Sequence, residues 1–294
     1  MANTTFTGPV RSENGFQKVA KNTTTGEVSK RSLHSNSDKD TLRYYLEEWW
    51  LQRPALNADI DQAYTVEVAR AANRDFEVLG SNMTTALCTF TADHAGITIT
   101  TAATDQDAAI IAPHLDTNQS AWTGVKWGTE NSVTWECAVS TNAIDNQKIW
   151  AGLKLTNDGP TVVTDDDQAY FLFETDGDNG TTLTDFTLLH FVHSIGGTDY
   201  ISAMPITVAA NTTYRLRIDI DSDRKASIFV DGVQYNITST SGSTGGTAVT
   251  KGTTKSAALT DDVDLIPYIG IECGASAAEA LDVHYQAISR LIFE

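Results

Sequence analysis

The stretch TYRLRIDIDSDRKASIFVDGV, residues Thr213 to Val233, decides the fold. Its apolar residues Leu216, Ile218 and Ile220 alternate with Arg and Asp, which is the period-two pattern of a strand with one buried face. The polar segment Ser222–Lys225 then turns the chain back into a second apolar run, ASIFV. The pattern predicts a β-hairpin.

Similar runs of strand length fill the chain from Phe76 onward. Clusters rich in Asp, Asn and Gly separate them, as expected of tight turns. The runs are ALCTF, GITITT, AAIIAP, VTWECAVS, IWAGLKLT, AYFLFET, TLLHFVHS and YIGIE. Such regular spacing predicts an all-β protein with a closed or double-sheet architecture.

The order of these runs resembles the concanavalin A-like jelly roll, also called the lectin/laminin-G type. The marks are a strand that ends in Ile220–Asp221, the strand Ile228–Gly232 and a last strand with alternate residues buried. The resemblance implies a jelly-roll β-sandwich with an N-terminal extended arm and one short amphipathic helix.

Four motifs narrow the resemblance to a group of tailed-phage virion proteins. They are WAGLKLT (Trp150–Thr156), SIGGTDY (Ser194–Tyr200), DSDRK (Asp221–Lys225) and DLIPYIGI (Asp264–Ile271). The opening TTFTGPVRSENGF (Thr4–Phe16) is similar to arms of phage structural proteins. This resemblance implies a non-enzymatic capsid decoration or cement protein on the virion, assembled in the host cytoplasm. Its partners would be the major capsid protein or other virion proteins, within a homo-oligomer. A glycan-binding head or tail appendage is the alternative.

The first 59 residues carry the predicted attachment. Residues 1–36 are polar, with isolated apolar points such as Phe6 and Phe16, and form an arm without its own core. Residues 37–59 are predicted as a helix and linker, because Leu42, Tyr45, Leu46 and Trp49 recur at helical spacing. The residues expected to contact a partner are Phe6, Arg11, Phe16, Trp49 and Trp50. For the two tryptophans, packing on their own sandwich remains open.

The remaining residues, 60–294, are predicted as the jelly-roll domain. The low-complexity segment 239–255 has no periodicity and is predicted as an inserted flexible loop. The three cysteines lie in separate strand-like runs without a metal or redox spacing, so we expect buried free thiols. No apolar run is long enough for a signal peptide or a membrane span.

The N-terminal part and the rest of the chain differ in net charge. The chain carries a net charge of −18, and residues 1–53 hold eight Lys or Arg against six Asp or Glu, so the rest carries −20. An acidic body repels phosphate backbones, so direct nucleic-acid binding is not expected.

The residues offer little recognisable chemistry. Retaining glycosidases of this fold place two carboxylates in a Glu-x-Asp-x-x-Glu strand, whereas the segment Glu174–Asn179 ends in Asn and so lacks the general acid. His190 and His193 are three apart, which puts them on opposite faces of a strand. We therefore predict no enzyme, no catalytic residue and no cofactor. A structural calcium ion in the Asp-rich loops, such as Asp165–Asp167, remains open.

Overall fold

The computed structural model describes residues 19–21, 28–30, 43–57, 76–113, 126–155, 165–175, 183, 186–242 and 245–292. Within these ranges the chain forms strands and turns only, and no helix there is long and apolar enough to cross a membrane. The strands are β1 (Val19–Lys21), β2 (Val28–Lys30), β3 (Arg43–Glu48), β4 (Ala55–Asn57), β5 (Phe76–Gly80), β6 (Cys88–Phe90), β7 (Ile97–Thr100), β8 (Ala108–Pro113), β9 (Thr134–Thr141), β10 (Gln147–Lys154), β11 (Gln168–Glu174), β12 (Leu188–Ile195), β13 (Thr198–Thr207), β14 (Tyr214–Ile220), β15 (Ala226–Val230), β16 (Val233–Tyr235), β17 (Thr247–Ala248), β18 (Ile266–Cys273) and β19 (Ala280–Leu291).

Two large sheets form the body. The nine-stranded sheet has the order β17-β13-β12-β11-β10-β18-β8-β5-β4, and the eight-stranded sheet runs β16-β15-β14-β9-β19-β7-β6 with β3 also paired to β19. Pairing is antiparallel except at the two ends of the nine-stranded sheet, where β17 and β4 pair in parallel. The predicted all-β jelly-roll sandwich is therefore confirmed.

The hairpin predicted over Thr213–Val233 is β14–β15, with Leu216 opposite Val230 and Ile218 opposite Ile228. The apolar set is buried between the sheets. On the other face, Arg217 donates two hydrogen bonds to the Asp219 carboxylate, at 2.7 and 2.6 Å. The alternation read from the sequence thus places apolar residues inward and an ion pair outward.

The core between the sheets is built from alternate residues of both. Trp135, Phe171, Phe191 and Ile269 are among its fully buried side chains. Each such side chain contributes about 1.5–3 kcal/mol of hydrophobic stabilisation relative to an exposed one. All three cysteines are buried and free, as expected, and burial raises the pKa of Cys88 to about 11.

The helix predicted within residues 37–59 is wrong for the part that the structure describes. Residues 43–48 form strand β3, which pairs antiparallel with the C-terminal half of β19. The Arg43 guanidinium fixes this pairing by donating to Ser289 Oγ at 3.1 Å and to the carbonyl oxygen of Ser132 at 2.6 Å. Because β4 joins the other sheet, the expected helix and linker instead supply one strand to each sheet.

The segment 239–255, expected as a flexible loop, contacts both large sheets in its described part, β13 of the nine-stranded sheet and β16 of the eight-stranded one. Strand β17 within it pairs with Ser202 and Ala203 of β13. Val249 is buried, and Lys251 forms a backbone bridge to Tyr235. Low sequence complexity therefore did not exclude a docked conformation.

His193 is a buried titratable group on the core-facing side of β12. Its ring stacks on Tyr200, with ring centroids 4.7 Å apart, and on Phe191 at 5.8 Å. Burial lowers the pKa of His193 to about 4. The folded protein therefore holds this imidazole neutral at pH values where the unfolded chain, with an ordinary His pKa of about 6.5, is protonated.

We expect His193 to make the protein less stable in acid. As pH falls from about 6.5 towards 4, the unfolded state binds a proton that the folded state does not, which costs about 2–3 kcal/mol at pH 4.5. Urea unfolding of the wild type and His193→Phe at pH 7.5 and 4.5 measures this term. The variant should lose about 2–3 kcal/mol less between the two pH values, and an equal loss in both proteins would refute the assignment.

Candidate functional site

The central strands of the nine-stranded sheet, β8, β10, β11 and β18, are buried on both faces. All eight residues of β10 are buried, although their side chains alternate. Ile149, Ala151 and Leu153 enter the core between the sheets, whereas Trp150 belongs to a second apolar cluster on the outer face. The members of that outer cluster are Leu79, Ala108, Ile110, Ala112, Trp150, Tyr170, Leu172, Leu183, Val192, Ile201, Ile266 and Tyr268.

Trp150 lies flat across the neighbouring strand. A Cβ atom on Gly270 would come within 2.6 Å of the Trp150 ring and 2.7 Å of Ile110, so only glycine fits beneath the indole. The indole also stacks on Tyr268, with ring centroids 5.8 Å apart and planes inclined by 23°. The aromatic layer therefore depends on the missing side chain at residue 270.

The outer face also holds buried charges, and they are paired. Lys148 Nζ donates to Glu272 Oε1 at 2.7 Å, and Glu174 faces Lys148 on the opposite neighbouring strand. Lys154 Nζ lies 3.9 Å from Asp165 Oδ2 and 5.2 Å from the centre of the Tyr268 ring. These contacts offset the cost of removing the charges from water.

The segment Glu174–Asn179, compared above with the retaining-glycosidase motif, does not form an open site in its described part. Glu174, which stands where a retaining glycosidase would have its nucleophile, is fully buried on β11. Thr175 follows it, and residues 176–179 lie outside the described residues. His190 and His193 occupy opposite faces of β12, as their spacing predicted, so they cannot ligate one metal together.

The Asp-rich loops use their carboxylates within the protein. Asp167 Oδ1 accepts from the Gly196 amide at 3.1 Å and from the Thr260 hydroxyl. Asp221 accepts from the Lys225 amide at 2.9 Å and from Lys255 Nζ at 2.5 Å. Across the described ranges, no three or more His, Cys, Asp or Glu residues are grouped to hold a metal ion. Asp176 and Asp178, in the segment Glu174–Asn179, lie outside these ranges.

The residues expected to contact a partner are not brought together. Trp50 is 2% exposed and packs against Phe76, with ring centroids 6.2 Å apart. Trp49 is 48% exposed and stacks on Tyr285 at 4.9 Å. Trp50 therefore has no surface to offer, whereas Trp49 does. Phe6, Arg11 and Phe16 lie outside the described residues.

An open groove lies at one end of the sandwich, where strands β9 to β13 meet their connecting loops. Its volume is about 370 Å³. Buried Phe173 on β11 and buried Val208, just after β13, contribute apolar surface, and the more exposed Ile144 and Phe186 add to it from the loops. The other lining residues are polar: Asp145, Asn146, Thr175, Thr187 and Thr207.

The side chain of Gln147 holds in place the loop that carries Ile144 and Asp145. This buried side chain donates through Nε2 to the carbonyl oxygen of Ala143 at 2.5 Å, and the Thr141 hydroxyl donates to the same oxygen at 2.9 Å. The Thr175 amide donates to the carbonyl oxygen of Gln147 at 2.8 Å. The groove residues are thus held in place before any ligand arrives.

Sequence reasoning did not find this groove. Its residues come from segments that are separated by up to 64 positions, from Ile144 to Val208. Each segment alone resembles an ordinary turn, and only the strand order brings them together. The one signal in the local sequence is Ile144, an apolar residue within a polar turn. In the structure its side chain is 38% exposed.

Comparisons with known proteins gave structural likeness only. No protein-family model matches the chain, and no curated protein matches it. Similar solved structures include a family 7 alginate lyase in complex with its product, with 14% identity, a TM-score of 0.43, and coverage of 71% of this chain and 85% of that one. Another is the potassium-bound carbohydrate recognition domain of Emp46p, with 7% identity, a TM-score of 0.46, and coverage of 78% and 94%.

A third similar structure is a protein of unknown function from Shewanella oneidensis MR-1. It has 10% identity and a TM-score of 0.46, and the match covers 90% of this chain and 97% of that one. Likeness at these identities is a likeness of fold.

These findings correct two predictions. The prediction of a non-enzymatic capsid decoration protein is wrong, because the similar structures include polysaccharide lyases and a carbohydrate recognition domain, and none of those named here is a virion protein. The prediction that the chain is not an enzyme is wrong on the same finding. Location on a virion and the phage resemblance are tested by none of the comparisons and stay predictions.

The buried Lys148–Glu272 pair gives a stability prediction. Lys148→Met leaves two carboxylates buried beside an apolar side chain, and breaking such a pair costs about 3–5 kcal/mol. Adding Glu272→Leu removes one of those carboxylates and should recover part of the loss. Guanidinium unfolding of the single and double variants measures both effects.

The half-exposed pair Lys255–Asp221 is the matched control. Lys255→Met should cost less than about 1 kcal/mol, because water screens that pair. Equal losses in Lys148→Met and Lys255→Met would show that Lys148 is not buried as described.

Proposed function

We propose that this protein binds carbohydrate and that the groove between Ile144 and Phe186 is the binding site. The observation that carries the proposal is the groove itself, with apolar side chains next to a set of hydroxyl, amide and carboxylate groups. Its volume of about 370 Å³ lies within the range of small-ligand sites, about 300–1,000 Å³.

A saccharide matches this lining in both of its chemical properties. The C–H face of a pyranose ring is apolar and packs against aromatic and aliphatic side chains such as Phe186 and Ile144. The hydroxyls at the ring edge need donors and acceptors, which Asn146, Thr175 and Thr207 supply. A purely apolar ligand would leave these polar groups without partners.

Among the described residues, the groove is an accessible polar site next to the nine-stranded sheet. On the outer face of the sheet, Lys148 and Glu272 are buried and paired with each other, so they offer no open surface to a ligand. The groove lies at the end of the same strands, since Thr175 directly follows Glu174. Strand ends with exposed loops are where a β-sandwich presents variable side chains.

A glycan array followed by titration calorimetry tests the proposal. We expect selective binding of an oligosaccharide and about fivefold weaker affinity in Ile144→Ser, because the substitution removes apolar contact worth about 1 kcal/mol. The control is Phe90→Ser, which removes an apolar side chain of similar exposure, 40% against 38%, on strand β6 of the other sheet.

Phe90→Ser should bind as the wild type does, and thermal unfolding should show that both variants fold. An array without selective signal, or equal affinities in the two variants, would remove the groove as a carbohydrate site.

A further inference from the structure

Resting on the proposed function, we infer that the groove selects saccharides by charge: it takes amine-bearing and neutral sugars and rejects uronates and other anionic sugars. The basis is the composition of the groove lining. Among the nine lining residues that the structure describes, one is a carboxylate, Asp145, and none is Lys, Arg or His. A cation there would strengthen the binding of an anionic sugar, because charge-assisted hydrogen bonds are about twice as strong as neutral ones.

Asp145 presents its charge to the groove. The residue is exposed in the loop between β9 and β10, and none of the described basic side chains forms an ion pair with it. The carboxylate is therefore available to accept hydrogen bonds from hydroxyl or ammonium groups. It offers no donor to a ligand carboxylate or sulfate.

Glu279, near Asp145, adds to the negative field. Burial raises the pKa of Glu279, and the Asp145 carboxylate raises it further. The Asp145 carboxylate thus already disfavours the ionised form of Glu279, a second negative charge in this region. A ligand carboxylate brought next to Asp145 would meet the same repulsion, in addition to that of a chain with a net charge of −18.

The nearest lysine in sequence does not compensate for Asp145. Lys148 lies three residues further on, but its side chain is buried on the outer face of the sheet, and its ammonium group is paired with Glu272 at 2.7 Å. Moving Lys148 into the groove would leave Glu272 buried without its cation.

A matched series of ligands tests the inference. The probes are β-1,4-linked tetrasaccharides of glucosamine, glucose and glucuronate, which share a linkage and differ in charge. At about pH 5.5 the amine and an ordinary carboxylate are both charged. We expect affinity to decrease in that order, with about a twofold to fivefold change at each step, which is the range of one exposed ion pair.

Two further measurements test whether Asp145 causes the difference in affinity between the three probes. Raising the salt concentration from about 0.02 M to about 0.5 M should bring the three affinities together, because screening shortens the range of the interaction. Asp145→Asn should weaken glucosamine binding and strengthen glucuronate binding by about twofold to fivefold each.

The control is Asp223→Asn, which removes the same charge in the β14–β15 turn. Tyr214, at the start of β14, contacts Ala209 next to the groove, so this turn is about one strand length, roughly 20 Å, away. Asp223→Asn should keep the wild-type order of affinities.

The outcomes separate this inference from the proposed function. Glucuronate binding that equals or exceeds that of the other probes, no binding of any of the three, or an order that survives Asp145→Asn would overturn the charge selection. The carbohydrate site itself depends only on the array and on Ile144→Ser. A preference for glucuronate that Ile144→Ser weakens would leave the site in place and refute its selectivity.

Discussion

Burial of both faces of the central strands of the nine-stranded sheet is the constraint on which the rest of the structure depends. An antiparallel sheet usually keeps one face in water, and its strands then alternate between apolar and polar residues. Strand β10 is buried at every position, so each polar side chain on the outer face needs a partner within the protein. This requirement explains the pairing of Lys148 with Glu272 and the position of Lys154 between Asp165 and the Tyr268 ring.

The same constraint determines where a ligand can bind. Because the outer face of the sheet is filled, accessible polar groups must lie at strand ends, where loops meet water. The groove forms there from β9 to β13. Its loop is held by hydrogen bonds from Gln147 and Thr141, so little conformational entropy remains to be lost on binding. A rigid sandwich thus supports a preformed groove whose chemistry is set by a few loop residues.

Local sequence patterns predicted the strands well where apolar and polar residues alternate with a period of two. The hairpin of β14 and β15 and the opposite faces of His190 and His193 follow from alternation alone. The helix failed because Leu46 and its neighbours fit helical spacing, while the pairing of β3 with β19 is invisible locally. The paired charges of β10 and the groove were missed for a related reason: both depend on which strands become neighbours, and no window of sequence contains that information.

The pairing of β3 with β19 has a consequence for how the chain reaches its native state. Arg43 and Ser289 are hydrogen-bonded although they are 246 positions apart. Closing so large a loop costs chain entropy before any contact repays it, which gives a high contact order and slow folding. Strand β19 lies between β9 and the strands β3 and β7, so the eight-stranded sheet stays incomplete until this last strand has left the ribosome. During synthesis, the backbone edges of β9 and β7 that pair with β19 must therefore remain unpaired, which exposes the nascent chain to aggregation.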